Sequence, residues 1–184
     1  MRSVRYYCQP SPLGELLVGV TSEGLCLIHW GDPCPAMARL QQSFDRVLPV
    51  SPIPPVRSQL EEYLAGKRQS FTLPLDLSLA SPFGRTVLTE LARIPFGELI
   101  TYGALAKRVH SYPRAVGGAV GRNPIPIVIA CHRVVGAGGS IGGFSGGLER
   151  KHFLLGLEGA QLGNGRSRKA SSGSLTSSPG KSSD

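Results

Sequence analysis

The chain is short of acid, of aromatic rings and of cysteine, and it has no long apolar run. Its 12 Asp and Glu face 20 Lys and Arg, aromatic residues make up 7% of 184 positions with Trp30 the sole tryptophan, and there are 4 cysteines. No apolar stretch approaches the roughly 20 residues of a membrane span. The opening Met1-Arg-Ser-Val-Arg-Tyr-Tyr-Cys8 lacks the apolar core of a signal peptide, so the expectation is a soluble, cytoplasmic protein without a membrane partner. Cys8, Cys26, Cys34 and Cys131 follow no regular framework, which argues against a disulfide-stapled scaffold. Cys8, Cys26, Cys34 and His29 are ligand types that suit zinc. Cys26 and His29 lie an odd number of residues apart, however, and a regular strand would point them to opposite faces. The reading adopted is no metal and no cofactor.

The positive excess is unevenly placed. Residues 1–75 carry a net +1, residues 76–160 a net +4 and residues 161–184 a net +3, out of +8 in all. A surface of this kind attracts nucleic acid by counterion release, although a modest excess is also common on proteins that bind none.

Hydrophobic residues are 41% of the chain, enough for a packed core in one medium domain or two small ones. Short alternating runs, Leu16-Leu-Val-Gly-Val20 and Gly24-Leu-Cys-Leu-Ile-His-Trp30, are broken by Ser11-Pro-Leu-Gly14 and Gly31-Asp-Pro33, which predicts hairpins. Apolar residues at Met37, Leu40, Phe44 and Leu48 predict a helix over 35–48, and Val56, Leu60, Tyr63 and Leu64 predict another over 56–64. Phe71 to Leu77 alternates again and is expected to close the sheet or lead onward. The fold class is therefore α/β in the α+β sense: an amino-terminal sheet-and-helix domain over 1–75, then a mainly helical domain over 76–160. Residues 161–184, rich in Ser and Gly with scattered Lys and Arg, are expected to form a disordered basic tail.

In the second half the period becomes helical, with Phe83, Val87, Leu88, Leu91 and Ile94 on one face and Ser81 or Pro82 placed to start the helix. Thr101 to Val109 predicts a short helix, His110-Ser-Tyr-Pro113 a turn, and Arg114-Ala-Val-Gly-Gly-Ala-Val-Gly121 a second helix made of small residues. Two short helices joined tightly suit a helix-turn-helix. Many helical hairpins bind nothing, but small side chains let a helix backbone approach another surface closely.

The chemistry centres on Ile125-Pro-Ile-Val-Ile-Ala-Cys-His-Arg-Val-Val135, where a thiol, an imidazole and a guanidinium end a nearly unbroken apolar run. Burying three such groups is costly without a compensating role. The run reads as a buried strand, and on a strand Cys131 and His132 point to opposite faces, so the imidazole could not touch the thiol directly. Together with Asn123, Gly142-Gly-Phe-Ser-Gly-Gly-Leu148, Leu154-Leu-Gly-Leu-Glu-Gly159, Pro95-Phe-Gly-Glu98 and Thr101-Tyr102, the segment resembles the O6-alkylguanine-DNA alkyltransferases over residues 82–159.

That resemblance implies direct repair of DNA: Cys131 takes the alkyl group from O6-alkylguanine, with O4-alkylthymine as a further substrate, in double-stranded DNA. It implies a monomer that acts once. His132 would draw the thiol proton through a bridging water, with Glu158 orienting the imidazole. Tyr102 would crowd the phosphate and donate a proton to the leaving guanine. Arg114, leading the second helix, would enter the base stack as the nucleotide leaves it, with Ala115, Gly118 and Arg122 on the same DNA-facing element. Asn123 would be a hinge, and Phe144, Ser145 and Gly146 would line the base pocket with Ala130. Arg133 would tie nearby carbonyls or a carboxylate.

This chain departs from the family pattern at two places. Ala130 stands where most members have proline, which is expected to leave the thiol pocket roomier, and Phe144 stands where tyrosine is common. Two other functions fit a cysteine beside a histidine or a DNA-binding helix pair. A cysteine hydrolase would turn over many times and would leave Arg114 unexplained, and a non-catalytic lesion sensor would have no use for Cys131.

Overall fold

Five consecutive buried residues, Leu16 to Val20, mark a strand in the interior of the amino-terminal sheet. The computed structural model describes residues 1–163, so most of the tail expected over 161–184 lies outside the described residues. Strands β1 Ser3–Gln9, β2 Leu16–Val20, β3 Leu25–Trp30 and β4 Arg46–Pro49 form a sheet in the order β3-β2-β1-β4. β2 pairs antiparallel with β1 and β3, as the hairpins require, and β4 returns parallel to β1. Strand alternation gives the sheet two apolar faces. Val4, Leu17 and Cys26 pack with Ala36, Leu40 and Phe44 beneath helix α1, Cys34–Ser43. Tyr7, Leu16, Val18 and Ile28 face a larger core shared with helix α2, Pro54–Leu64, and with the second half of the chain.

One expectation in this half is corrected, and of the two readings of Phe71 to Leu77 the structure takes the second, a lead onward. The helix expected over 35–48 ends at Ser43, and Leu48 lies in β4, where Val47 pairs with Val4. Sheet pairing overrides a helical period that the apolar spacing fits only by coincidence. Phe71 to Leu77 adds no strand, only one parallel bridge between Leu25 and Leu75. Pro74 has no N–H with which to extend a ladder. The bridge also depends on Gly24, where φ is +143° and a Cβ would lie 2.2 Å from the Pro74 carbonyl oxygen.

Helices α3 Pro82–Leu91, α4 Tyr102–Arg108 and α5 Pro113–Gly121 pack on one another, and α6 Leu148–Leu157 closes the described chain. Ser81 Oγ accepts from the Gly84 N–H and Thr101 Oγ1 from the Ala104 N–H, each at 3.1 Å, so both helices start on side-chain caps. Two-residue strands β5 Ile100–Thr101 and β6 Val134–Val135 pair in parallel. No helix among the described residues is long and apolar enough to cross a membrane.

The apolar run before Cys131 is not a strand. Asn123 Oδ1 accepts from the Ile125 N–H at 3.0 Å while its Nδ2 donates to the Ile129 carbonyl at 2.8 Å, which knots the segment into turns. Ile127 is held at φ +73°, an unfavourable region for a β-branched residue. Ile125, Ile127 and Ile129 are all buried, and burial on every side gives the same apolar pattern as a buried strand.

Candidate active site

Ala130 adopts φ −74° and ψ 66°, and the Cys131 N–H closes onto the Ile129 carbonyl at 2.8 Å, an inverse γ-turn. It leads into a single 3-10 turn, Cys131–Arg133. From this turn Cys131 lines a cavity of about 310 Å³, while His132 and Arg133 converge on Glu158 at the end of α6. Tyr102 from α4, Gly117, Val120 and Gly121 from α5, and Phe144 with Ser145 from the following loop form the other walls. The volume falls in the range of small-ligand pockets.

Behind the thiol the polar groups are tightly paired. His132 Nε2 lies 2.8 Å from Glu158 Oε1, Arg133 Nη2 donates to the same oxygen at 2.7 Å and Arg133 Nε to Oε2 at 2.9 Å. Arg133 Nη1 also donates to the Ile94 carbonyl, and the Gly97 N–H reaches Glu158 Oε2 at 3.1 Å. A further donor comes from the amino-terminal half: Tyr63 Oη sits 2.5 Å from Glu158 Oε1 and 3.4 Å from His132 Nε2. Burial alone would raise the Glu158 carboxyl, but the hydrogen bonds from His132, Arg133 and Tyr63 hold it well below its ordinary 4.5. Burial lowers His132 from 6.5 despite the neighbouring carboxylate. An ionised Glu158 fixes the imidazole proton on Nε2, leaving Nδ1 as an acceptor that is buried and without a partner among the described residues. Burial also pushes the Cys131 thiol up to about 11, opposed by the Asn123 side chain, nearby backbone N–H groups and the Lys151 charge.

The loop after the turn is held from two sides. Lys151, wholly buried on α6, donates to the carbonyls of Val134 at 2.7 Å, of Ile141, and of Gly143 at 3.3 Å. Burial lowers its ammonium to about 8. From the sheet side Trp30 packs on Phe144, with ring centroids 5.9 Å apart.

Of the residues expected at the site, Cys131, Tyr102, Phe144 and Ser145 line one cavity, and His132, Arg133 and Glu158 form one cluster behind it. Asn123 ties the turn before the cysteine. Ala130 and Gly146 do not line the cavity: both are buried, and Gly146 faces Trp30. Arg114 and Ala115 lie exposed in the first turn of α5, Gly118 packs against the Arg122 guanidinium, and Arg122 follows the helix. No group of three or more His, Cys, Asp or Glu among the described residues could hold a metal ion. Cys8 and Cys34 are exposed while Cys26 is buried, and His29 Nε2 instead meets the Asp32 carbonyl at 2.8 Å. Sequence reasoning missed Tyr63, Trp30 and Lys151. A buried tyrosine hydroxyl usually finds a hydrogen-bond partner, and on the buried helical stripe that was the available signal for Tyr63.

Fold and site together define an α/β protein that presents one buried thiol to a pocket between a helix pair and a glycine-rich loop. Residues 4–77 match the family model of the 6-O-methylguanine DNA methyltransferase ribonuclease-like domain, and residues 82–160 that of the DNA binding domain of the same enzyme. The chain belongs to the 6-O-methylguanine DNA methyltransferase family. It is 40% identical over 161 residues to a methylated-DNA--protein-cysteine methyltransferase of Haemophilus influenzae, covering 86% of this chain and 88% of that one. With the protein of that name from Methanosarcina acetivorans it shares 37% over 155 residues, 82% of this chain and 95% of the relative. Mycobacterium tuberculosis OGT, solved in complex with DNA, superposes with a TM-score of 0.71 at 32% identity, over 84% of this chain and 93% of that one.

Proposed function

We propose that this protein repairs alkylated DNA by moving the alkyl group of O6-alkylguanine, and of O4-alkylthymine, onto Cys131. The observation that carries this reading is the pairing of a cavity-lining thiol with a buried His132–Glu158 couple whose free Nδ1 is set to accept a proton. A thiol at about 11 is nearly all protonated at neutral pH and needs such a base. His132 takes the thiol proton through a water molecule and Glu158 stabilises the imidazolium. The sulfur attacks the alkyl carbon, the carbon–O6 bond breaks, and guanine leaves with a proton from Tyr102. The resulting thioether has no carbonyl for water to attack, so each molecule acts once.

A base stacked in a duplex cannot reach this cavity, so the nucleotide must be turned out. Helices α4 and α5 act as the helix-turn-helix, with exposed Arg114 entering the stack and Tyr102, Ala115, Gly118 and Arg122 along the DNA path. Residues 1–75 support the site and residues 76–160 carry it, in a monomer that works in the cytoplasm. The test is incubation with a duplex containing O6-methylguanine, followed by intact mass and peptide mapping. One methyl per protein on Cys131 is expected, and Cys131→Ser should keep lesion binding and lose transfer. Multiple turnovers would indicate a hydrolase, binding without transfer a lesion sensor, and label on Cys8, Cys26 or Cys34 a different nucleophile.

A further inference from the structure

Tyr63 lies in the last turn of α2, in the half of the chain far from Cys131 in sequence, and it is wholly buried. Its ring is held by Phe71 at 5.1 Å and edge-on by Phe96 at 6.1 Å between centroids. Phe71 is fixed in turn because Gln59 grips the adjoining Thr72 twice, Nε2 to Oγ1 and backbone N–H to Oε1, both at 2.9 Å. This packing aims one hydroxyl at the one carboxylate that holds the imidazole. Tyr7, in the same core, makes the contrast: its buried hydroxyl has no partner among the described residues.

The geometry points to Tyr63 as a positioning residue that makes the amino-terminal half part of the proton relay, by fixing the charge and orientation of Glu158 against His132. The inference rests on the reading of Cys131 as the alkyl acceptor. The groups that face His132 are Lys151 from α6 and Glu158 at its end, Arg133 from its own turn, and Tyr63 from α2. Among these Tyr63 adds a neutral donor to the same carboxylate oxygen that receives His132 Nε2. Without that donor the oxygen is more basic, and it stabilises the imidazolium more. His132 then protonates at higher pH, and the fraction competent to accept the thiol proton falls.

Tyr63→Phe keeps the ring and removes only the hydroxyl. In the full chain with ¹⁵N-labelled histidine, assigned by His132→Gln, the His132 titration midpoint should rise by about half to one pH unit, a fraction of a charge-assisted hydrogen bond. The acid limb of single-turnover transfer from O6-methylguanine duplex should rise with it, and Tyr7→Phe should move neither. In a Glu158→Gln background the Tyr63→Phe shift should vanish, which separates positioning from a general loss of packing. An unchanged His132 titration in a folded Tyr63→Phe protein, or a shift that persists without Glu158, would overturn the inference. If the wild-type protein transfers no methyl group to Cys131 while the NMR shift appears, the functional reading fails and the Tyr63–Glu158–His132 coupling stands.

Discussion

Gly146 faces Trp30 so closely that a Cβ there would lie 2.4 Å from the indole Cζ2. The indole cannot retreat freely, because the Arg150 guanidinium sits 5.6 Å from its centroid while donating to the Leu13 carbonyl at 3.1 Å and the Gly146 carbonyl at 2.8 Å. A ring from the sheet, a turn from the first hairpin and the loop beside the cavity are thus clamped together.

Gly146→Ala should therefore displace the loop and cost about 1–3 kcal/mol, the usual range for overpacking. In a Trp30→Ala background the same substitution should cost almost nothing, and that non-additivity, read from denaturant midpoints, is the check. Because Trp30 is the sole tryptophan, its emission reports this contact without labelling. Equal costs in both backgrounds would mean that the loop yields elsewhere.

Lys151→Met should loosen the same loop from the opposite side. It leaves the carbonyls of Val134, Ile141 and Gly143 without their shared donor and should lower stability by about 2 kcal/mol. It also removes a positive charge that opposes the rise of the Cys131 thiol, so transfer should slow beyond what the population of folded protein explains. Transfer rates measured well below the melting temperature separate the two effects.

Stability should fall on acidification in two stages. His132 has a folded value below its unfolded 6.5, so as pH drops through 6.5 the unfolded chain takes up a proton that the folded one refuses, and stability is lost. Glu158 is also depressed, so its contribution is complete above 4.5 and is lost as pH falls from there toward its folded value. Glu158→Gln should be less stable at pH 7 yet flatter below pH 4.5, as thermal melts across pH 7 to 3 would reveal. A mutant curve parallel to that of the wild type would exclude Glu158 as the acid-sensitive group.

The centre of the site was legible because its chemistry is local: Cys131, His132 and Arg133 are consecutive, and Glu158 is a carboxylate in an apolar stretch. The hairpins and the helices around 56–64, 82–91 and 102–121 were legible from period and caps. The contacts that cross between halves were not. Tyr63 sits on a stripe with Leu60 and Leu64 and reads as core, which it is, but only the fold tells which partner its hydroxyl finds. The strand expected to end at Cys131 failed, and only Val134–Val135 beyond it is extended, because apolarity reports burial and says nothing of backbone shape, while Pro124, Pro126 and the Asn123 side chain dictate turns.

Ala130 supplies the last prediction. The roomier pocket expected from the missing proline has no support in the cavity lining, since Ala130 is buried and is not among the residues that line it. Its φ of −74° and ψ of 66° are those of an inverse γ-turn centre, a conformation that a proline ring already favours. The Ala130 N–H makes none of the backbone hydrogen bonds that close this turn; the bond runs from the Cys131 N–H to the Ile129 carbonyl. Proline there would restrict the unfolded chain without losing a folded contact, so Ala130→Pro should stabilise by about 0.4–1 kcal/mol. The ratio of benzyl to methyl transfer rates should stay unchanged, because a ring at this position takes no volume from the cavity. A selective loss of benzyl transfer in a folded variant would instead place residue 130 at the pocket wall, and a lower melting temperature would show that Ile129 cannot take the extended conformation a following proline demands.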